Sequence, residues 1–242
     1  MTELRQRYAG LAAGLVWMIL SPLVFMTLYS LVYVGVFQIQ PNGLSRGEYI
    51  LYIFSGLIPL MGLVEALLAG TTSLSANRAV LLNTVFPAEL VPLRAVVVGH
   101  VTAVLGMAML IVVATLLGHA SPALILVPVI LVLQMMFVAG LTLLLSLANL
   151  ALRDIQQLLG FAAMILLIAS PVSYTPDMVP ARLVFVIYLN PFSYFVLALH
   201  ELVFGRFPRM AILAACLILG LGSLCLGFST FRRIKQVFLD YV

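Results

Sequence analysis

Four aromatic residues recur at intervals of four: Phe25, Tyr29, Tyr33 and Phe37. On an α-helix this spacing places them on one face. At 1.5 Å per residue the ladder climbs about 18 Å. Trp17 stands earlier on a nearby face. Aromatic faces stack on the apolar faces of sugar rings, and a phenol can hydrogen-bond a sugar hydroxyl. Weak, repeated contacts of this kind suit a sugar chain that slides. Packing against neighbouring helices is the competing reading. A belt at the membrane surface fits less well, because it would gather at one depth.

Other chemistry-bearing residues are sparse. Glu65 lies inside an apolar run, and an ionisable residue at membrane depth points to a transport path or a gate. A structural hydrogen bond or a hydrated position near the helix end are its alternatives. His100, His119 and His200 share no metal-ligand spacing, so no metal site is expected. His200-Glu201 sits where it could meet a substrate, but a structural role is the simpler reading. Cys216 and Cys225 lie in one apolar stretch and read as inert, buried thiols. No Ser/His/Asp or Cys/His order suggests a nucleophile. No G-x-x-x-x-G-K-[ST] loop occurs, so ATP hydrolysis by that route would need another chain. Scattered basic residues speak against a nucleic-acid groove.

These residues are carried by a very apolar chain. Of 242 residues, 64% are hydrophobic and 8% charged, which is too few charges to cover a water-facing surface. Spans of about 20 residues are the natural division. They run near Leu11–Phe37, Tyr49–Ala69, Ala95–Leu117, Ala123–Leu150, Leu158–Val172 and Met210–Phe228. The first run is too long for a signal-peptide core. Pro41-Asn42-Gly43 and Gly118 to Pro122 mark turns, and Arg153-Asp154 a short polar break.

Between the last two spans, Pro176, Pro180, Pro191 and Pro208 punctuate a semi-polar region. Its apolar pieces, Leu183–Leu189 and Phe192–Phe204, are too short to cross a bilayer and read as re-entrant or interfacial helices. Six spans put both termini on one side. If that side is cytoplasmic, eight basic residues lie inside and four outside, which favours N-in, C-in. Within the polar stretch Thr71 to Asn83, the part from Leu74 to Asn83 has a short amphipathic character and could dock a soluble partner, a plain connecting loop being the alternative.

Several short patterns occur in a telling order. Arg7-Tyr8, Leu15, Trp17 and Ser21-Pro22-Leu23 open the chain. Asn77, Leu81-Leu82, Phe86-Pro87 and Leu90-x-Pro92 follow the second span. Arg153-Asp154-Ile155, Ser170-Pro171-Val172-Ser173-Tyr174, Asn190-Pro191-Phe192 and the Phe238 to Asp240 tail complete the set. In this order they resemble the ABC-2-type transporter permeases, specifically the polysaccharide or polyol-phosphate exporters of O-antigen, capsule and teichoic acid systems. The resemblance covers nearly the whole chain.

It implies an all-α integral membrane protein, a single ABC-2-type transmembrane domain over residues 1–242. Six transmembrane helices are expected, with short re-entrant helices before the last. It implies a homodimer in the bacterial inner membrane that exports a lipid-linked polysaccharide, undecaprenyl-linked where the O-antigen pattern holds. Two copies of a separate nucleotide-binding subunit would bind ATP and Mg, leaving no cofactor in this chain. The substrate path would take in Trp17, Phe25, Tyr29, Tyr33, Phe37, Glu65 and Tyr174. The ATPase-coupling segment would take in Asn77, Arg78, Leu81, Leu82, Asn83 and Phe86.

Two departures stand out. The family usually carries a longer amphipathic helix ahead of Arg7-Tyr8, where six residues stand here. Asn83-Thr84 follow Leu82 where the family commonly has Lys, so the coupling contact should be less electrostatic. A drug or small-lipid exporter of the same family is the nearest alternative. An intramembrane enzyme would need paired carboxylates or His/Asp clusters at membrane depth.

Overall fold

The computed structural model describes residues 16–36, 43–77, 87–152 and 154–239. All regular structure among them is helical. Helix α1, Val16–Ser30, runs on into a π-helical stretch, Leu31–Val36. Helices α2 (Arg46–Ala76), α3 (Leu90–Leu116) and α4 (Val127–Ala151) follow. A 3-10 turn, Pro122–Leu126, leads into α4. Then come α5 (Ile155–Ala169), the short α6 (Val184–Leu189), α7 (Pro191–Val203) and α8 (Met210–Leu239). Four of these helices, α2, α3, α4 and α8, are long and apolar enough to cross a membrane.

Helix α2 is the hub. Its most apolar window is 72% buried, against 22% for that of α8. Ser45 caps it in a capping box: the Ser45 hydroxyl accepts from the Glu48 amide, and the Glu48 carboxylate accepts from the Ser45 amide. Pro59 lies inside the helix and supplies no N–H to the ladder. Beside it, buried Gln134 of α4 donates to the Pro59 carbonyl at 2.7 Å and ties the two helices together.

The expected end of this span at Ala69 falls two turns short. Helix α2 continues to Ala76 because its polar residues bond back into the helix. Thr71 donates to the Leu67 carbonyl, Ser73 to Gly70 and Ser75 to Thr72. The fifth span ends earlier than expected, at Ala169 rather than Val172, because Ser170-Pro171 cannot continue a helix. The two pieces expected to be re-entrant form α6 and α7.

Contacts fix the helix directions. Gly62 meets Ala103 and Gly99 meets Ala66, so α2 and α3 are antiparallel. Pro59 pairs with Gln134 and Ser75 with Asn149, so α2 and α4 are parallel. Gly220 meets Leu133 and Gly227 meets Gly140, so α4 and α8 are also parallel. One end of the bundle therefore carries Ser45, Gly118 and the start of α8. The other carries Asn77, Leu90 and the end of α4, with a small core of Leu74, Ala88, Leu143, Leu147 and Phe231.

The α4–α8 seam depends on missing side chains. A Cβ at Gly140 would run into the Ser223 backbone, and one at Gly227 into the Gly140 backbone. Without a hydrophobic driving force between helices in lipid, such close backbone approach is the main source of attraction. Gly140→Val should cost about 1–3 kcal/mol or more and lower the melting temperature in detergent. Gly160→Ala, where nothing lies within 4 Å of the new methyl, should leave it unchanged or raised. Equal melting of the two variants would count against this seam.

Candidate functional site

A polar buried region lies at the Ser45 end, where α5 breaks: Ser55, Ser170, Asn190, Ser193 and His200 are all buried. Ser170 adopts an extended backbone (φ −80°, ψ 139°) ahead of Pro171, as a residue before proline prefers. The chain then crosses the bundle in irregular form through Ser173 and Tyr174 to the 3-10 turn Pro176–Met178. Ser170 and Val172 are almost wholly buried. Irregular backbone at such depth needs protein partners for its carbonyls, and side chains of α2 and α7 supply them.

Helix α2 contributes two phenols. Tyr49 donates to the Ser173 carbonyl at 3.0 Å, and Tyr52 to the Tyr174 carbonyl at 3.2 Å. From α1, the Tyr29 hydroxyl lies 3.0 Å from Ser173 Oγ, and its ring meets Phe54 edge-on. From α7, His200 Nε2 lies 2.9 Å from the Pro171 carbonyl. A carbonyl only accepts, so Nε2 carries the ring proton. His200 Nδ1 faces Ser55 Oγ at 2.7 Å, and the same hydroxyl lies 2.7 Å from the Tyr52 carbonyl. The imidazole stacks flat on Tyr52, with centroids 3.8 Å apart. Gly56 makes room for it: a Cβ there would stand 2.8 Å from His200 Cε1.

Asn190 completes the clamp. Its Nδ2 donates to Ser170 Oγ at 3.0 Å, while its Oδ1 caps α7 by accepting from the Phe192 amide. Tyr174 folds back and donates to the Ala169 carbonyl at 2.9 Å. Burial pushes the Tyr174 phenol up from its ordinary value, so it keeps its proton near neutral pH. An apolar hollow of about 360 Å³ lies beside it, between α5 and α6. At the rim, His119 lies 3.5 Å from the Glu48 carboxylate and against the Phe204 ring.

The expected site residues divide. Tyr29 and Tyr174 meet in this clamp through Ser173. Trp17 and Phe25 lie on α1, and Tyr33 in the π-helical stretch that continues it. Glu65 lies on α2, half-buried and within electrostatic reach of buried His100 of α3. Asn77 ends α2, its side chain donating to the Ser73 carbonyl at 2.8 Å. Phe37, Arg78, Leu81, Leu82, Asn83 and Phe86 lie outside the described residues. Tyr49, Tyr52, Ser55 and Asn190 were not among the expected site residues. Their signal was present as hydroxyls on the first turns of α2 and an Asn-Pro helix start.

Residues 1–204 match the ABC-2 type transporter family. This chain belongs to that family. Among its relatives is an O-antigen export system permease protein, RfbA, of Klebsiella pneumoniae. The two are 25% identical over 241 residues, covering 98% of this chain and 91% of the relative. A second Klebsiella pneumoniae protein of the same name is 24% identical over 242 residues, with the same coverage. The protein of that name from Myxococcus xanthus is 29% identical over 174 residues, covering 71% of this chain and 65% of that one. As an ABC-2 family member the chain is a multi-pass membrane permease subunit, and it works with an ATPase partner.

In this permease, His200 and the two α2 phenols serve as partners for a broken backbone. His200→Phe keeps the ring stack but leaves the Pro171 carbonyl without its partner and removes one of the two partners of Ser55. It should destabilise the protein by roughly 1–3 kcal/mol, measured by thermal melting in detergent. Tyr49→Phe, which removes one hydroxyl, should cost about 1 kcal/mol. Melting curves indistinguishable from the parent would refute the clamp.

Proposed function

We propose that the chain is the membrane subunit of an ATP-driven exporter that moves a lipid-linked polysaccharide across the bacterial inner membrane. The observation that carries this is the near full-length similarity to O-antigen export permeases within a matched ABC-2 family. The aromatic spacing that begins with Phe25 and Tyr29 on α1 suits a sugar chain as substrate.

The working unit is a homodimer with two nucleotide-binding subunits. The exposed apolar surface of α5 supports pairing of two copies: none of its residues is buried, and Ile165 and Ile168 stand open. In lipid such a face is available to a second copy as well as to acyl chains. Each subunit crosses the membrane six times, with α1 and α5 added to the four long helices. The alternating directions of α2, α3 and α4 support this count; an even count keeps both termini on the Asn77 side, and the excess of basic residues there supports reading it as cytoplasmic. Helices α6 and α7 lie at the outer end. The segment from Asn77 to Phe86 faces the ATPase, whose stroke widens a path lined by α1 and α5.

Expression with and without the companion ATPase, in cells that make the polymer, tests the function. Polymer should reach the outer surface only with both and accumulate inside otherwise. Surface polymer without the ATPase would refute the proposal. Within that system, Tyr29→Ala with Tyr33→Ala should slow export roughly tenfold, about 1.4 kcal/mol of barrier. Unchanged export at normal protein levels would make the ladder a packing feature. Arg78→Ala should lower export relative to ATP consumed, and unchanged coupling would remove that residue from the docking segment.

A further inference from the structure

A groove of about 500 Å³ lies between α2 and α5 near the Asn77 end. We propose that it binds an uncharged, hydroxyl-rich stretch of the exported polymer. The inference rests on the exporter reading above and narrows its substrate class to neutral glycans.

The lining has a consistent chemistry. Thr72 stands on one wall, with Gln156, Gln157 and the Phe161 ring on the other. Gln157, Gly160, Phe161 and Met164 stand three or four positions apart and share a face of α5, with Gln156 at its edge. That face is not used for packing within the subunit: Gln156, Gln157 and Phe161 are all exposed. Each glutamine offers two N–H donors and a carbonyl acceptor, a match for vicinal hydroxyls. Thr72 donates its own proton to the Leu68 carbonyl at 3.2 Å, which leaves its oxygen as an acceptor. Gly160 opens the groove between them, since nothing lies within 4 Å of where its Cβ would be. The exposed Phe161 ring supplies an apolar face for stacking.

Among the described residues, no ionisable side chain lines the groove. A carboxylate entering it would exchange water for neutral dipoles, at a cost that a hydroxyl avoids. The volume is that of a cleft for a small ligand, so it would hold a short segment of a chain at a time.

The test uses the complete transporter, permease with its ATPase, in vesicles. Cys216→Ala and Cys225→Ala clear the background, and Gly160→Cys reports the groove through its rate of maleimide labelling. Three probes are compared: a polyprenyl-diphosphate-linked oligosaccharide of neutral hexoses, the same molecule with a uronic acid in each repeat, and the lipid diphosphate alone. Labelling should slow roughly tenfold with the neutral probe and little with the other two. Gln156→Ala with Gln157→Ala should abolish that protection without lowering the melting temperature. Gln157→Arg should shift protection toward the acidic probe.

Equal protection by the lipid diphosphate alone would make the groove a lipid site and overturn the inference. So would equal protection by the acidic probe, or no protection in vesicles that still export polymer on ATP. Vesicles of the unsubstituted transporter that export no polymer would instead overturn the exporter reading, and the inference with it.

Discussion

An unpaired backbone carbonyl inside a membrane has no water to fall back on. The fold is arranged around one place where this problem is acute, the break after Ala169. Helix α5 stops because Pro171 has no N–H to give and forces Ser170 into an extended backbone. The carbonyls that follow are met by Tyr49 and Tyr52 of α2 and by His200 of α7. Tyr29 of α1 and Asn190 reach the same segment through Ser173 and Ser170. Elements far apart in the chain are therefore tied to a single stretch of irregular backbone. A shift of that stretch would disturb α1, α2 and α7 together.

The same constraint explains how polar residues are used elsewhere. The hydroxyls near the end of α2 bond back to their own helix, which lets it run past the point where its composition turns polar. Gln134 and Ser223 donate to carbonyls of neighbouring helices. Asn149 donates to Ser75 across the α2–α4 seam. Close backbone approach does the rest, through Gly140 and Gly227 between α4 and α8. What remains unused within the subunit is the face of α5, apolar above and amide-bearing toward the Asn77 end. That division matches the two contacts proposed above, one with a second copy and one with the polymer.

Much of this was legible in the chain. High apolarity with few charges requires lipid as solvent, whatever the fold. Four prolines between the last two spans announce short helices, and α6 and α7 occupy the expected places. The ordered motifs pointed to the family that residues 1–204 match. Helix ends were less legible. Thr71 and Ser73 look like loop residues until their hydroxyls are seen to bond back to carbonyls within α2, and Val172 looks like helix until Pro171 is given its geometric weight.

Local physics thus determined the solvent, the element types and the family, because hydropathy, proline and motif order act over a few residues. Tertiary structure alone decided which residues form the clamp. The partners of Pro171, Ser173 and Tyr174 are 29 and more than 100 positions away. No periodicity links His200 to Ser55 or Tyr49 to Ser173. Their pairing follows from helix directions, and those are set by which backbones can approach closely enough to pack.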